Sequence, residues 1–310
     1  MDHPSTVQKI EGNGISWINV SKIGSEEMKY LEKTFNFRPL HLADCFSPLQ
    51  RPKVNLQNDY LFMVLLFPVY RRKTREIITA ELDVFIGKDY LVTAHNNDLS
   101  PLINLFNLCQ INENQRQKYF KNNPTFLIYE VLNRLCCYCQ PILDDMQLAT
   151  ASIEEHIFRG YERRMVREIL IVKRNIINLR QITRVHESVL SQFVTKGEKF
   201  LDFSGIKANF LELIESTGDM WNLLENLYQN IEALEETNNS LVSFRLNDIV
   251  KILTTISVLA LPITIVTSLF SMNIHHSPLI DYPAAFWILI SGMIILFAFL
   301  LFYVKRKKWI

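Results

Sequence analysis

A row of seven residues at helical spacing runs through an otherwise apolar segment near the end of the chain. The intervals between successive members are seven, three, four, three, four and three residues, so they share one face of an α-helix. All but one have small or polar side chains: Asn247, Thr254, Ser257, Leu261, Thr264, Ser268 and Ser271. Lipid offers hydroxyl and amide groups no hydrogen-bond partners, so we expect this face to turn toward protein or water.

Two explanations of this row remain open. Small hydroxyl residues commonly lie where membrane helices contact each other, so packing between helices explains the row. A pore also explains it; one hairpin cannot enclose a pore, but several copies can, with this face along the axis. The long helix predicted before the row, and the amide of Asn247 at its cytoplasmic end, favour the pore.

The segment that holds the row is predicted to cross a membrane twice. No acidic or basic residue occurs in the 29 residues from Ile252 to Ile280, or in the 23 residues from Tyr282 to Val304. About 20 apolar residues suffice for a helix to span a bilayer. Basic residues flank both runs on the same side: Arg245, Lys251, Lys305, Arg306, Lys307 and Lys308. The positive-inside tendency therefore places both ends in the cytoplasm and the tip outside.

Composition excludes several classes of protein. The 310 residues carry a formal net charge of +1, which argues against a nucleic-acid-binding protein. The first residues lack the pattern of a signal peptide, so we expect the bulk of the protein in the cytosol. The pair Cys136 and Cys139 lies in a predicted helix with no second pair nearby, which indicates buried cysteines rather than a zinc site. No phosphate loop, nucleophile motif or zinc-hydrolase motif is found, so we predict no enzyme.

Three regions are predicted: a cytosolic α/β domain (1–123), a cytosolic helical and stalk region (124–248), and a transmembrane hairpin with a basic C-terminus (249–310). In the first, runs such as YLFMVLLFPVY and DYLVTAHN predict strands. The second begins with two long predicted helices, over 125–158 and 163–194. A last helix starts near Ile206 and meets no proline before Pro262, which is roughly 80 Å at 1.5 Å per residue. A helix of that length must project as a stalk.

Two further features resemble the CorA family of divalent-cation transporters. Ser271, Met272 and Asn273 close the first apolar run, where that family has Gly-Met-Asn, and the chain ends in KRKKWI, a basic cluster followed by Trp and an aliphatic residue. The resemblance implies an α+β membrane protein: an N-terminal cytosolic α/β domain, a long stalk helix and two C-terminal transmembrane helices in a funnel-shaped homopentamer. It also implies a multi-pass protein of the cell (inner) membrane with both termini cytoplasmic. The implied partners are copies of itself, the lipid bilayer and divalent metal ions, with no nucleic acid.

The resemblance assigns roles along the pore. Five copies of Asn273 would ring the outer mouth, where amide oxygens accept hydrogen bonds from a hydrated magnesium ion. Asn247 would form a second polar ring near the cytoplasm, and Thr264 a hydroxyl ring. Apolar constrictions would gate by excluding water: Val250, Leu253 and Leu261. The basic inner mouth would comprise Lys305, Arg306, Lys307 and Lys308. No cofactor is implied; a divalent cation, magnesium first, is the substrate and also a regulator.

Three departures from the family leave alternatives open. Ser271 replaces the glycine of the filter, so a non-conducting sensor or scaffold is one alternative. Glu212 falls where the stalk has its regulatory metal-binding acid, but the expected partner loop, residues 70–75, is basic. His275, His276 and Asp281 at the tip suit zinc, nickel or cobalt better than magnesium. Proton-coupled zinc transport, as in the related ZntB branch, is therefore the other alternative.

Overall fold

The computed structural model describes residues 6–46, 50–121, 123–271 and 285–306. The chain divides into two compact units, Met1–Glu235 and Glu236–Ile310. The division into regions at 123 and 248 that we expect from the sequence remains a prediction.

A six-stranded sheet forms the centre of the first unit. Its strands are β1 (Val7–Gly12), β2 (Ile15–Val20), β3 (Lys53–Leu56), β4 (Leu61–Arg71), β5 (Glu76–Ile86) and β6 (Tyr90–His95). They lie in the order β1-β2-β6-β5-β4-β3, and only β2 and β6 pair in parallel. The long β4–β5 hairpin turns at residues 72–75, where Arg75 adopts a φ of 55°.

Aromatic side chains build a core on each face of the sheet. On one face Phe37 stacks on Phe85 with ring centroids 4.2 Å apart, and α1 (Ser25–Phe35) and α2 (Pro39–Phe46) cover this core. On the other face the Trp17 ring meets Phe106 edge-on at 5.0 Å. Side chains alternate between faces along a strand, so Glu81 and Asp83 share the face of Phe85. Both carboxyl groups therefore lie on the α2 side.

Helices cover the Trp17 face. They are α3 (Ser100–Ile111), α4 (Glu113–Tyr119), α5 (Pro124–Phe158), α6 (Glu162–Thr183) and α7 (His186–Gly197). Asn123 caps the N-terminus of α5: its side chain accepts the Thr125 N–H at 2.8 Å, and Pro124 occupies the first helical position. It continues through Pro141 to Phe158, as predicted.

The predicted single helix over 163–194 is wrong. The structure divides it into α6 and α7 at Arg184 and Val185, although neither glycine nor proline occurs there. His186 begins α7, and its Nε2–H donates to the Leu66 carbonyl of β4 at 2.6 Å. This bond holds His186 against the sheet, so the chain turns at a point where local helix propensity would continue the helix.

The long last helix is confirmed. α8 (Lys207–Ser271) extends over 65 residues without interruption, and α9 (Ala285–Arg306) follows it. Among the described residues, α8 alone is long and apolar enough to cross a membrane, by length and composition. In α9 the described apolar stretch is shorter, Ile290–Tyr303. The second crossing therefore remains a prediction.

Candidate ion path along α8

The polar row lies on an exposed face of α8 in the second unit. Within the single chain, its members from residue 247 to residue 271 are all exposed. The apolar residues expected between them, Val250 and Leu253, are exposed on the same side, by 59% and 64%. So many exposed apolar and hydroxyl groups on one helix face need lipid or another protein surface to cover them.

α9 packs against the other side of α8. Thr255 and Leu259 are buried there, and a small recess between the two helices is lined by Leu259, Pro262, Ile263, Met293, Leu296, Phe297 and Leu300. At 100° per residue, this packed side lies about 180° around the helix from the polar row. The described part of α9 therefore leaves the row free for other contacts.

Hydroxyl groups of the row bond back to their own helix. Thr254 donates to the Val250 carbonyl at 2.8 Å, Ser257 to the Leu253 carbonyl at 3.0 Å, and Thr264 to the Ala260 carbonyl at 2.9 Å. Each proton is thereby occupied, which leaves the oxygen lone pairs as the free polar groups of the face. Such a surface accepts hydrogen bonds, as the waters around a cation require.

Pro262 lies within α8 without ending it. Proline has no N–H, so the Val258 carbonyl lacks its bond from four residues later. The helix nevertheless runs on to Ser271. Pro262 also lines the recess against α9, so its ring contributes to packing.

Ser271, which replaces the glycine of the family motif, is the last residue of α8 and is exposed. Its helical conformation is one that any amino acid other than proline adopts without strain. Lys305 and Arg306 are exposed in the last turn of α9. Other predicted site residues lie outside the described residues: Met272, Asn273, His275, His276, Asp281, Lys307 and Lys308.

Within the single chain, Glu212 and the basic loop have different surroundings. Glu212 is exposed on α8, whereas Arg75 of the loop forms an ion pair with Glu168 of α6. Nowhere in the described ranges do three His, Cys, Asp or Glu side chains converge to hold a metal ion. A regulatory site at Glu212 would need groups from another copy.

The part of α8 that belongs to the first unit is joined to α6 by ion pairs that we did not expect from the sequence. Lys173 pairs with Glu235 at 2.7 Å, and this hydrogen bond raises the pKa of the Lys173 ammonium. Arg180 pairs with Glu225 at 2.6 Å and lies 4.2 Å from the Tyr228 ring centroid. The regular spacing of basic residues on one helix and acidic residues on the other is the only signal in the sequence that indicates this contact.

Comparison with solved structures gives the fold. The structure of the CorA magnesium transporter from Methanocaldococcus jannaschii superposes with a TM-score of 0.78 at 22% identity, covering 100% of this chain and 95% of that one. The predicted α/β domain and long helix are thereby confirmed.

Sequence comparisons find relatives of the same kind over nearly the whole length of this chain. The cobalt/magnesium transport protein CorA of M. jannaschii is 23% identical over 297 residues, covering 95% of this chain and 91% of the relative. The protein of the same name from Thermotoga maritima is 21% identical, covering 95% and 83%. A family model described as CorA-like Mg2+ transporter protein matches residues 12–306. This chain therefore belongs to the CorA family of divalent-cation transporters, as its motifs indicated.

Proposed function

We propose that this chain forms a homopentameric channel that moves a divalent cation across the cell (inner) membrane along the exposed polar face of α8. In this proposal the protein crosses the membrane twice with both termini in the cytoplasm. Magnesium is the first substrate and cobalt, nickel or zinc the next. The observation that carries the proposal is the position of the row, exposed and opposite to α9.

The chemistry of the face suits a hydrated ion. Magnesium holds its waters tightly and prefers oxygen ligands, so a path for it should accept hydrogen bonds from water rather than strip the ion. The back-bonded hydroxyls of Thr254, Ser257 and Thr264 present such acceptors. Val250, Leu253 and Leu261 would form apolar rings that close the path when water leaves them.

The ends of the path rest on the family motif. Asn273 would ring the outer mouth and Asn247 the inner part of the path, with the basic residues of 305–308 around the cytoplasmic mouth. Membrane potential would drive entry, at about 2.3 kcal/mol per elementary charge per 100 mV. The names of the two relatives, cobalt/magnesium transport proteins, support the order of substrates. We also propose that a divalent cation bound between copies near Glu212 regulates the channel.

Flux into proteoliposomes tests this proposal. The purified full chain would be challenged with Mg2+, Co2+, Ni2+ and Zn2+ in competition, with empty liposomes as background. A matched pair of variants then identifies the face: Thr264→Val and Thr255→Val each remove a hydroxyl that donates to a carbonyl one turn earlier, at 2.9 and 2.8 Å. Thr264 is exposed on the row, while Thr255 is buried on the opposite side.

We expect Thr264→Val to change flux or ion preference several-fold and Thr255→Val to leave both near wild type. Equal effects would show that the row does not line the path. If the natural chain moves none of the four ions while Ser271→Gly restores flux, the chain is a non-conducting sensor or scaffold. Zinc uptake that follows an imposed pH gradient would instead establish proton-coupled zinc transport.

A further inference from the structure

A second polar site lies in the first unit, between the sheet and α2. It is a cavity of about 210 Å³ bounded by β5, by Cys45 of α2 and by the loop after β6. Three carboxyl groups line it, those of Glu81, Asp83 and Asp98, and its described lining contains no lysine or arginine. The cavity is therefore acidic and large enough for several waters.

Asp83 is unusual because its carboxyl group is buried and one of its oxygens lacks a hydrogen-bond partner among the described residues. Its residue is only 2% exposed. The carboxyl group interacts with the Cys45 thiol and the Glu81 carboxyl, but its Oδ1 has no hydrogen-bond partner in the described part of the chain. Burial, and then the nearby Glu81 carboxylate, raise the pKa of Asp83 well above its usual range. A buried carboxyl oxygen without a partner costs free energy unless water or a cation occupies the space beside it.

The histidine and the cysteine that line the cavity are already engaged. His95 accepts the Asn97 N–H on Nδ1 at 2.9 Å, so its Nε2–H donates to Asn19 Oδ1 at 3.1 Å. The Cys45 thiol donates to the His41 carbonyl at 3.2 Å, and burial raises its pKa well above the usual range, so it stays protonated. Neither a free imidazole nor a thiolate faces the cavity. The remaining side-chain ligands in the lining are oxygens, from the carboxyl groups and from Thr79 and Asn96, and oxygen ligands suit a hard cation rather than zinc.

The nearby Lys53 does not line the cavity, although its charge acts on the Glu81 carboxyl and opposes the rise in its pKa that burial causes. Lys53 pairs with Asp44 at 2.7 Å, outside the cavity lining. One oxygen of Glu81 accepts the Gln50 N–H at 2.5 Å, which holds that carboxyl group in place. Because no three acidic, His or Cys side chains among the described residues are placed to surround a bare ion, an ion here must keep most of its water. Magnesium retains its waters in this way.

We propose that this cavity binds one hydrated divalent cation of the magnesium type per chain. Asp83 and Glu81 accept hydrogen bonds from its water shell, and Asp98 adds negative charge at the mouth. The site lies in the first unit and shares no lining residue with the row on α8, so it does not depend on the chain conducting ions. Binding requires Asp83 to lose its proton, so affinity should rise with pH and each ion bound should release a proton.

Manganese is a suitable probe, since its hydrated ion resembles that of magnesium and its paramagnetism allows free and bound ion to be counted. The full chain in nanodiscs would be titrated with Mn2+ and followed by electron paramagnetic resonance. Asp83→Asn keeps the shape of the protonated side chain but cannot ionise. Asp59→Asn removes an equal charge from an exposed turn of the same unit and serves as the matched control.

We expect Asp83→Asn to bind one fewer Mn2+ per chain than wild type and Asp59→Asn to bind the same number. Excess Mg2+ should displace the ion from wild type. Calorimetry in two buffers of different ionisation enthalpy should show proton release in wild type that Asp83→Asn lacks. An equal number of bound ions in wild type and Asp83→Asn, or equal loss in both variants, overturns the proposal.

Two further measurements cover failure of Asp83→Asn to fold. Glu81→Gln should weaken binding at this site by about tenfold or more. Anomalous scattering from Mn2+-soaked crystals of the wild-type chain should place a peak within the cavity. Density for water alone there would mean that Asp83 is a buried protonated acid and that no cation site exists. Flux through the same preparations reports separately on the pore.

Discussion

Arg75 and Glu168 join the tip of the β4–β5 hairpin to α6 through two parallel hydrogen bonds, of 3.0 and 2.6 Å. The bond from Arg75 holds the pKa of the Glu168 carboxyl below its usual value. Beside this pair, Asn175 accepts the Ile77 N–H at 3.1 Å and donates to the Arg75 carbonyl at 2.9 Å. The basic loop is therefore attached within its own chain, and Arg75 is already occupied by an acid other than Glu212.

The two attachments should differ in strength. Both side chains of the Arg75–Glu168 pair are substantially exposed, so Glu168→Gln should lower the free energy of unfolding by about 1 kcal/mol or less. Asn175→Ala leaves the buried Ile77 N–H without its acceptor, which should cost about 1–3 kcal/mol. Thermal unfolding of the full chain in detergent, followed by circular dichroism, measures both. A Glu168→Gln effect as large as that of Asn175→Ala would contradict this ranking.

The pH dependence of the Glu168 variant follows from its lowered pKa. A carboxyl whose pKa is depressed in the folded state stabilises the fold above its unfolded value of 4.5, and this contribution disappears as pH falls through the folded pKa. The difference between wild type and Glu168→Gln should therefore vanish in acid. A difference that persists at low pH would show that the substitution acts by some route other than the ion pair.

His186 should make the fold sensitive to mild acid. Burial lowers its pKa to about 4, so it stays neutral in the folded chain, while the unfolded chain takes up a proton near pH 6.5. Between these values the unfolded state binds more protons, so stability falls as pH falls, by up to about 1.4 kcal/mol per pH unit. His186→Gln, which can still donate to Leu66, should flatten this fall.

His156, which is half-buried and bonds to the Ser152 carbonyl of its own helix, provides the control for that variant. His156→Gln should leave the slope between pH 6.5 and 4 unchanged. The slope of His186→Gln should not reach zero, because burial also lowers the pKa of His95 to about 4. Unfolding temperatures measured between pH 4 and 6.5 test this prediction. Parallel curves for wild type and His186→Gln would show that His186 does not cause the pH dependence.

Replacing Arg180 by lysine should lower the stability of the fold. Its guanidinium pairs with Glu225 and lies over the Tyr228 ring, and lysine offers neither the planar fork nor the stacking surface. Arg180→Lys should cost about 1–2 kcal/mol of stability. Faster hydrogen exchange in the part of α8 that belongs to the first unit would report the loss directly. Arg174→Lys, at an exposed and longer contact of 3.6 Å to Glu76, should change little.

Asn247 and Asn273 should control conduction without controlling assembly. Alanine at either position removes an amide oxygen from the proposed path but no apolar packing surface. Flux or selectivity should change while the oligomer seen by native mass spectrometry stays the same. Unchanged flux in both variants would remove this face from the ion path, and loss of the oligomer would assign the amides to packing.

The parts of the fold that the sequence predicts are those where side-chain pattern and environment agree. β4 is an almost continuous apolar run, and β5 is rich in isoleucine, valine and phenylalanine, because both faces of the sheet are covered. The edge strands escape notice: β1 (VQKIEG) and β3 (KVNL) are short and largely polar, and pairing with a neighbour forms them. The break at Arg184 and Val185 is also hidden, because the cause is a bond from His186 to a strand 120 residues earlier.

The sequence likewise predicts one part of the candidate site and not the rest. The spacing of the row from Asn247 to Ser271 follows from helix geometry alone, so the sequence shows which residues share a face. Which side α9 covers depends on how two uniformly apolar surfaces fit together, and no local pattern encodes that. The cavity at Asp83 is equally invisible, since an acidic residue within a strand becomes unusual only when α2 covers it.

The bonding of Thr254, Ser257 and Thr264 to their own helix has a consequence for biogenesis. In hydrocarbon an unsatisfied donor costs several kcal/mol, which would resist release of a polar helix from the insertion machinery. Because these hydroxyl protons are already taken, the three side chains add no unsatisfied donor when the helix enters lipid. In the proposed channel, insertion and assembly are therefore separate steps, because the oxygens that face water in the assembled path do not hinder entry into lipid.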